Sequence, residues 1–217
     1  MSFYTPAQRR MQDLSGSRRL ADRVESMIVA DEIDEADEFF ITSRDFFFLA
    51  SVDASGMPTV SYKGGDAGLV HVASPTTLLF PSYDGNGMFL SMGNISETAS
   101  IGMLFIDMER PNRVRVQAVA TVGDDDAELQ RWPGASLVVR AQVTKVFKNC
   151  GRYVHRHQRV ASSPYVPDAR GEAPQPSWKR IDALQDVMPD QERRRTERAG
   201  GSITPQEYDR RVATGTS

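Results

Sequence analysis

The sequence has little of what several common classes of protein require. Cys150 is the one cysteine among 217 residues, which excludes an intramolecular disulfide framework and any zinc or iron–sulfur site built from several cysteines. The 26 Lys and Arg residues are outnumbered by 29 Asp and Glu residues, so the basic excess of a dedicated nucleic-acid surface is missing. No apolar run approaches the roughly 18 residues that span a bilayer, and no basic segment followed by an apolar run marks export. We therefore expect a soluble, cytoplasmic protein.

The length corresponds to one domain with elaborations. Residues 1–44 are predicted to form a helical extension, because apolar side chains recur there at the spacing of one helix face: Leu20, Val24, Met27 and Ile28. Ser17 stands where the N-cap of this helix is expected. A second short helix is predicted around Ala36, Phe39 and Phe40.

Residues 45–160 are predicted to form a mainly β domain. Short apolar or alternating segments are separated there by turn residues rather than by helices: 46–52, 59–62, 69–72, 77–80, 101–106, 114–122 and 137–147. Closely spaced strands of this kind favour an antiparallel barrel or sandwich over a parallel α/β sheet. One helix, over 88–98, is predicted to interrupt the series. Residues 161–217 are rich in proline and charge and are predicted to wrap over the same domain, with a short helix over 205–212.

The loop from Ser82 to Gly87 is the strongest candidate for a binding element. It leads into the predicted helix, whose free backbone N–H groups suit a phosphate, and its glycines allow a ligand to approach closely. The loop matches neither the P-loop spacing nor the dinucleotide-binding glycine pattern. A plain turn is therefore the alternative interpretation.

Two basic elements are further candidates for holding an anionic ligand. Lys63 ends the second strand beside a pair of glycines, where a cation next to open backbone suits a phosphate. Arg113 and Arg115 share one strand face with Gln117, which gives a donor-rich surface. A solvated lysine and a solvated strand face are the alternatives.

The segment 149–157 combines Cys150 with two histidines, a tyrosine and two arginines. Its spacing fits no common closed zinc site and no carboxylate is interleaved, so we expect no metal. A cysteine nucleophile paired with a histidine is less favoured than an inert thiol.

Short motifs between residues 40 and 160 follow one another in a set order: Phe48–Val52, Asp53–Pro58, Val60–Gly65, Asp84–Phe89, Gly93–Ile95, Gly102–Asp107, Arg113–Gln117 and Asn149–His155. In this order they resemble the pyridoxamine 5′-phosphate oxidase-like family of FMN-binding split barrels. Within that family they are most similar to a branch of predicted flavin-nucleotide-binding proteins.

The resemblance implies a six-stranded antiparallel split barrel of the Greek-key type. It also implies a homodimer with one FMN per subunit in a groove at the subunit interface. The positions that correspond to the family's cofactor-binding residues are Ser61, Lys63, Ser82, Asp84, Gly85, Asn86, Gly87, Met88, Arg113 and Arg115.

The chain departs from the family's vitamin B6 oxidases in two places. Those enzymes carry an Arg-Lys pair before the helix, where this chain has Gly87 and Met88. They also carry a C-terminal Trp-x-x-Arg-Leu-His-Asp-Arg stretch, for which the segment around Trp178 is a poor substitute. Pyridoxamine or pyridoxine 5′-phosphate oxidation is therefore the lower alternative.

The leading hypothesis is an FMN-dependent oxidoreductase that passes hydride through flavin N5 to or from a small molecule. Arg152, Tyr153 and His155 are the candidates for substrate contact, and no side chain is assigned as catalytic. A flavin-binding carrier or sensor without turnover would use the same cofactor contacts. An oligonucleotide-binding barrel is disfavoured, because most aromatic residues lie in apolar runs rather than among basic residues.

Overall fold

The computed structural model describes residues 3–124 and 126–217. These residues form two compact units, which divide between Ser162 and Ser163. The helices of the first unit are α1 (Pro6–Leu14), α2 (Arg18–Ile28), α3 (Glu35–Thr42), α4 (Leu90–Thr98) and α5 (Asp126–Leu129). Its strands are β1 (Val29–Ala30), β2 (Phe46–Val52), β3 (Pro58–Gly64), β4 (His71–Ser74), β5 (Thr77–Tyr83), β6 (Ser100–Asp107), β7 (Asn112–Gly123) and β8 (Ala135–Cys150). No helix in the described ranges has the length and apolarity needed to cross a membrane.

The described strands form one antiparallel sheet of eight, in the order β3-β2-β6-β7-β8-β5-β4, with β1 paired to β8. The six strands implied by the resemblance are therefore wrong in number. One of the additional strands is β1, whose two residues pair with Val146 and Phe147, and two residues are too few to show a period-2 pattern. Within the described chain, no hydrogen-bonded pairing joins β3 to β4, so closure into a barrel stays a prediction.

Alternation along the strands places one face of the sheet in the core. In β7, Val114, Val116 and Ala118 are buried, and the intervening side chains face outward, which confirms the period-2 pattern of this strand. In β2, Phe47 and Leu49 are buried in the same core. The β2–β3 hairpin is also confirmed, and its turn is held by Asp53, whose carboxylate accepts hydrogen bonds from the following backbone.

Helix α3 is attached to β8 through an acidic and a basic side chain. Asp34 caps the helix by accepting a hydrogen bond from the Asp37 amide, and the Lys148 ammonium lies 3.2 Å from Asp34 and 3.3 Å from Asp37. The Asp37 side chain is buried, and its Oδ1 atom has no hydrogen-bond partner of acceptable geometry. Burial raises the pKa of Asp37, and the neighbouring Lys148 opposes that rise without cancelling it.

Replacing Asp37 by asparagine is expected to stabilise the protein at neutral pH. The folded-state pKa of Asp37 lies above its unfolded value, so keeping this carboxylate ionised costs folding free energy above the folded pKa. Lys148 keeps Asp34 as its partner in the variant. Thermal denaturation should show a higher melting temperature for Asp37→Asn at pH 7, and the gain should disappear as the pH falls through the folded pKa. A loss of stability at pH 7 would mean that the Asp37–Lys148 attraction outweighs the desolvation of Asp37.

The second unit contains two 3-10 helices, Ser177–Arg180 and Asp182–Leu184, followed by α6 (Asp190–Arg198) and α7 (Pro205–Thr214). Lys179 is buried there with its ammonium 3.3 Å from the Glu192 carboxylate. The helix predicted over 205–212 is confirmed, and its N-cap is Thr204. The assignment of residues 161–217 to the same domain as the sheet stays a prediction.

Candidate functional site

An open cleft of about 180 Å³ lies between β3, the end of β5 and the beginning of α4. Its lining residues come from these three elements and the loop before α4: Ser61, Lys63, Ser82, Tyr83, Gly85, Asn86, Gly87, Met88, Phe89, Leu90, Ser91 and Met92. Because β2 and β3 pair in register, Ser61 and Lys63 stand opposite the core residues Leu49 and Phe47. The two polar side chains of β3 therefore lie on the inner face of the sheet, at its edge.

Hydroxyl groups line the inner part of the cleft. The Oγ atoms of Ser61 and Ser91 are 2.8 Å apart and share one hydrogen bond, which ties β3 to the first turn of α4. Ser82 and Ser91 are both buried. A hydroxyl can donate or accept, so these groups can reorient toward a ligand of either kind.

Lys63 is the cation of the cleft. Burial lowers the pKa of Lys63, and no charged neighbour contributes to that shift. Across residues 3–124 and 126–217, the ammonium has no ion-pair or hydrogen-bond partner. A partly buried ammonium group without a counter-ion makes the cleft a favourable place for an anion.

The beginning of α4 adds backbone donors to the cleft. The helix starts at Leu90 rather than near Met88 as predicted, and its N-cap is Phe89, which has φ +50° in the left-handed region. Phe89 provides no side-chain cap. The first intrahelical hydrogen bond is donated by Gly93 to the Phe89 carbonyl, so the amides of the preceding helical residues, 90–92, remain available. These amides carry the partial positive charge of a helix N-terminus.

The loop before α4 is open toward the cleft. Gly87 has φ +78°, a conformation that favours glycine. At Gly85 a Cβ atom would meet nothing within 4 Å, so the packing of the chain itself does not require a glycine there. The Asn86 side chain accepts a hydrogen bond from the Met88 amide at 3.1 Å and fixes the turn.

The structure brings together most of the predicted cofactor residues and leaves others outside. The cleft is lined by Ser61, Lys63, Ser82, Gly85, Asn86, Gly87 and Met88. Asp84 belongs to the same loop and does not line the cleft. Arg115 projects from the outer face of β7, opposite the buried Val114 and Val116, and Arg113 donates two hydrogen bonds to the Cys150 carbonyl at 2.9 and 3.2 Å.

The predicted substrate-contact residues lie after β8 and outside the cleft. Tyr153 is 83% exposed, and the Arg152 guanidinium lies 4.8 Å from the centre of its ring. His155 is exposed, and so is Cys150. In the described part of the chain, no group of three or more histidine, cysteine or acidic residues is placed to hold a metal ion.

Four lining residues lie beyond the predicted loop and were missed by sequence reasoning: Phe89, Leu90, Ser91 and Met92. Phe89 is the N-cap of α4 and the other three form its first turn, and they were missed because the predicted helix started too early. The signal for Ser91 was present, since a serine in the first turn of a helix after a glycine-rich loop is a suitable phosphate donor. Nothing in the sequence signals that Phe89 adopts a left-handed conformation.

The sequence profile of the family described as pyridoxamine 5′-phosphate oxidase matches residues 33–159, more than half of the chain. None of the curated proteins matches the sequence.

Three solved structures are similar to part of this chain. HupZ of Group A Streptococcus is 19% identical with a TM-score of 0.46, covering 58% of this chain and 99% of that chain. A protein of Lactobacillus delbrueckii described as a candidate pyridoxamine 5′-phosphate oxidase is 24% identical with a TM-score of 0.46, covering 56% and 99%. An FMN-binding protein of Syntrophomonas wolfei is 10% identical with a TM-score of 0.40, covering 64% and 96%.

The matched residues 33–159 begin before α3 and end after β8. They include the whole of the cleft and nearly all of the sheet, and they agree with the extent of the sequence resemblance. The chain therefore belongs to the pyridoxamine 5′-phosphate oxidase family of split-barrel proteins.

Proposed function

We propose that this chain binds FMN in the cleft and acts as an oxidoreductase that passes hydride to or from a small molecule. The observation that carries the proposal is the Lys63 ammonium, which lies in the cleft without a partner from the described residues. Burying a cation without a counter-ion costs free energy, and an anionic ligand removes that cost. Membership of the family supports FMN as the ligand.

The phosphate of FMN fits the donors that the cleft provides. Lys63 offers a charge-assisted hydrogen bond, Ser61 and Ser91 offer hydroxyls, and the first turn of α4 offers unpaired amides. These are the residues that would hold the phosphate. The open position of Gly85 would let the ligand approach the backbone closely.

An apolar rim lies beside these polar groups. Met88, Phe89 and Leu90 line the cleft and are 62%, 61% and 50% exposed. They offer an apolar surface to a planar isoalloxazine ring. The bound flavin supplies hydride transfer through its N5 atom, whereas the chain supplies binding, orientation and exclusion of water.

We include in the proposal a homodimer with the flavin at the subunit interface. The loop 84–90 is exposed in a single chain, so the cleft is open to solvent on one side. A second subunit over that side would exclude water. Five of the predicted contact residues lie outside the cleft of their own chain: Arg113, Arg115, Arg152, Tyr153 and His155. In the proposed dimer they would contact the flavin bound to the other subunit.

A flavin carrier or sensor is the alternative within the same site, because turnover requires no additional cofactor contact. Reduction of the bound flavin by NADH or NADPH, followed by reoxidation with oxygen or a quinone, would favour the oxidoreductase over the carrier or sensor. Vitamin B6 oxidation stays the lower alternative, because Gly87 and Met88 replace the basic pair of those oxidases.

The proposal is tested by titrating the purified protein with FMN and with riboflavin, following the flavin fluorescence and absorption. We expect FMN to bind much more tightly than riboflavin, because the strongest donors of the cleft serve the phosphate. Equal affinities for FMN and riboflavin would mean that the phosphate of FMN is not bound in the cleft. Absence of FMN binding would overturn the proposal.

Adding a side chain at Gly85 is expected to weaken FMN binding without unfolding the protein. The φ of Gly85 lies outside the left-handed region and a Cβ atom has free space, so Gly85→Val should keep its melting temperature. The valine would occupy space at the cleft, and fluorescence titration should show a higher Kd for FMN. Gly93→Ala is the matched control: this glycine is helical, has equally free surroundings and does not line the cleft. It should stabilise the protein by about 0.5–1 kcal/mol and leave the Kd unchanged.

A further inference from the structure

Helices α1 and α2 form a hairpin with an uncovered apolar face. Neither helix has a buried residue. The apolar side chains recur at helical spacing and are largely exposed: Met11 66%, Leu14 81%, Leu20 65%, Val24 38% and Met27 73%. This hairpin precedes the residues that match the family profile, so the family fold does not account for its apolar face.

The hairpin is held together by its own polar contacts rather than by that face. The Arg9 guanidinium lies 2.5 Å from Asp22 and 3.7 Å from Glu25, and the Tyr4 hydroxyl donates to the Ala21 carbonyl at 3.2 Å. A helix pair joined by these contacts leaves its apolar stripe free. An amphipathic helix gains most of its stability by burying such a stripe against a partner.

Unpaired arginines flank the stripe. Arg9 and Arg18 are engaged by carboxylates of the hairpin. Arg10, Arg19 and Arg23 are exposed, and the described chain provides no ion pair or hydrogen bond to their side chains. At 100° per residue, Arg10 lies one turn from Leu14 on the same side of α1, and Arg23 lies within one turn of Leu20 and Met27 on the same side of α2. The uncovered face is therefore apolar with a positive border.

Helix α3 presents the complementary surface. Phe39 is 76% exposed. Glu35 lies one turn before Phe39 on the same side of the helix, and Glu38 lies directly before Phe39 and one turn after Glu35, so the two carboxylates border the ring on one side. No ion pair in the described ranges engages these two carboxylates or the exposed Glu32 that precedes the helix. An exposed aromatic ring with a negative border therefore stands on the same chain as an apolar stripe with a positive border.

We propose that the α1–α2 hairpin of one chain packs on α3 of a second copy of this chain. The two surfaces match in apolar character and are opposite in charge, and each copy carries both. A twofold axis would therefore form the contact twice in one dimer. The exposures show that a single chain does not cover its own stripe.

An anionic membrane fits the hairpin less well. Residues 6–28 contain five arginines and three acidic residues, and two of the arginines are already neutralised. Recognition of anionic lipid relies on clusters of about four to eight free basic residues. The acidic residues that follow from Asp31 to Glu38 would also be repelled by an anionic surface.

The decisive experiment reverses the charges that border the apolar stripe of the hairpin in one variant and those that border Phe39 on α3 in another. Flavin-free protein is used so that the outcome does not depend on the proposed cofactor. One variant carries Arg19→Glu and Arg23→Glu, and the other carries Glu35→Arg and Glu38→Arg. By sedimentation equilibrium, each variant alone should associate more weakly than the native chain, and an equimolar mixture should form a heterodimer. Arg210→Glu, an exposed arginine of α7, should not change self-association. Mixtures that form no heterodimer would overturn the proposal.

A second variant tests the apolar stripe. Leu20→Asp should raise the dissociation constant of self-association by roughly tenfold or more, because the leucine would otherwise be buried in the contact. Its melting temperature in dilute solution should be unchanged, since Leu20 is exposed in the single chain. An unchanged dissociation constant would contradict the proposal. Co-sedimentation of the native chain with phosphatidylglycerol vesicles, lost in Leu20→Asp, would assign the stripe to a membrane and overturn it as well.

Discussion

Lys63→Ala is expected to weaken FMN binding by roughly tenfold to a hundredfold, because a hydrogen bond to a charged group contributes about 1.5–3 kcal/mol. The lysine is the cation that lines the cleft, and burial alone lowers its pKa, which indicates that no carboxylate of the described chain already neutralises it. Fluorescence titration should show this loss for FMN, whereas the affinity for riboflavin should change little. Lys145→Ala is the matched control, because this lysine pairs with Asp31 outside the cleft.

The pH dependence of FMN binding distinguishes a direct contact of Lys63 from a structural role. The phosphate is mostly dianionic above about pH 6. Affinity should therefore rise through that range, stay level, and then fall as the pH rises through the pKa of Lys63. Because burial lowers this pKa, the fall should begin at a lower pH than for an ordinary lysine. In Lys63→Ala the fall should be absent, and a retained fall would assign it to another group.

Phe47→Ala is expected to lower the free energy of unfolding by about 3–5 kcal/mol. The ring is 1% exposed, and its centre lies 5.1 Å from that of Phe80 and 5.4 Å from that of Phe105. Removing it opens a cavity in the middle of the core. Urea denaturation followed by circular dichroism should show a lower midpoint with a similar slope.

Phe46→Ala provides the control for the core substitution. The Phe46 ring stacks on Tyr62 at 5.3 Å on the opposite face of the same strand, where both rings are only partly covered. Its loss should cost less than half as much as that of Phe47. Equal effects would mean that the outer face of β2 is buried in solution, as it would be in a subunit interface.

The sheet could largely be predicted from the sequence because its strands bear local patterns. The alternation of β7 shows both its span and its buried face, and the turn residues from Asp53 to Gly56 indicate the β2–β3 hairpin. Strand β1 could not be predicted, because two residues become a strand only through pairing with β8. The beginning of α4 was misplaced because Phe89 adopts a left-handed conformation that its side chain does not favour.

The part of the candidate site that consists of neighbouring residues in one loop could be predicted from the sequence. The side of the sheet toward which a strand's side chains point could not. The loop 82–88 and Lys63 line one cleft, in agreement with the resemblance. Alternation also indicated that Arg113 and Arg115 share a face. It does not reveal whether that face turns toward the cleft or away from it, because either orientation has the same period. That orientation is set by the pairing of β7 with β6 and β8.

The left-handed Phe89 has a consequence for attempts to make this protein more heat-resistant. A glycine at this position would adopt φ +50° without the penalty of roughly 1–2 kcal/mol that other residues incur. Because the ring is 61% exposed, losing it would sacrifice little packing. A selection for thermal tolerance alone should therefore favour Phe89→Gly. A selection that also requires FMN binding should keep phenylalanine at position 89, because its ring belongs to the apolar rim of the cleft. The two selections would therefore favour different residues at this position.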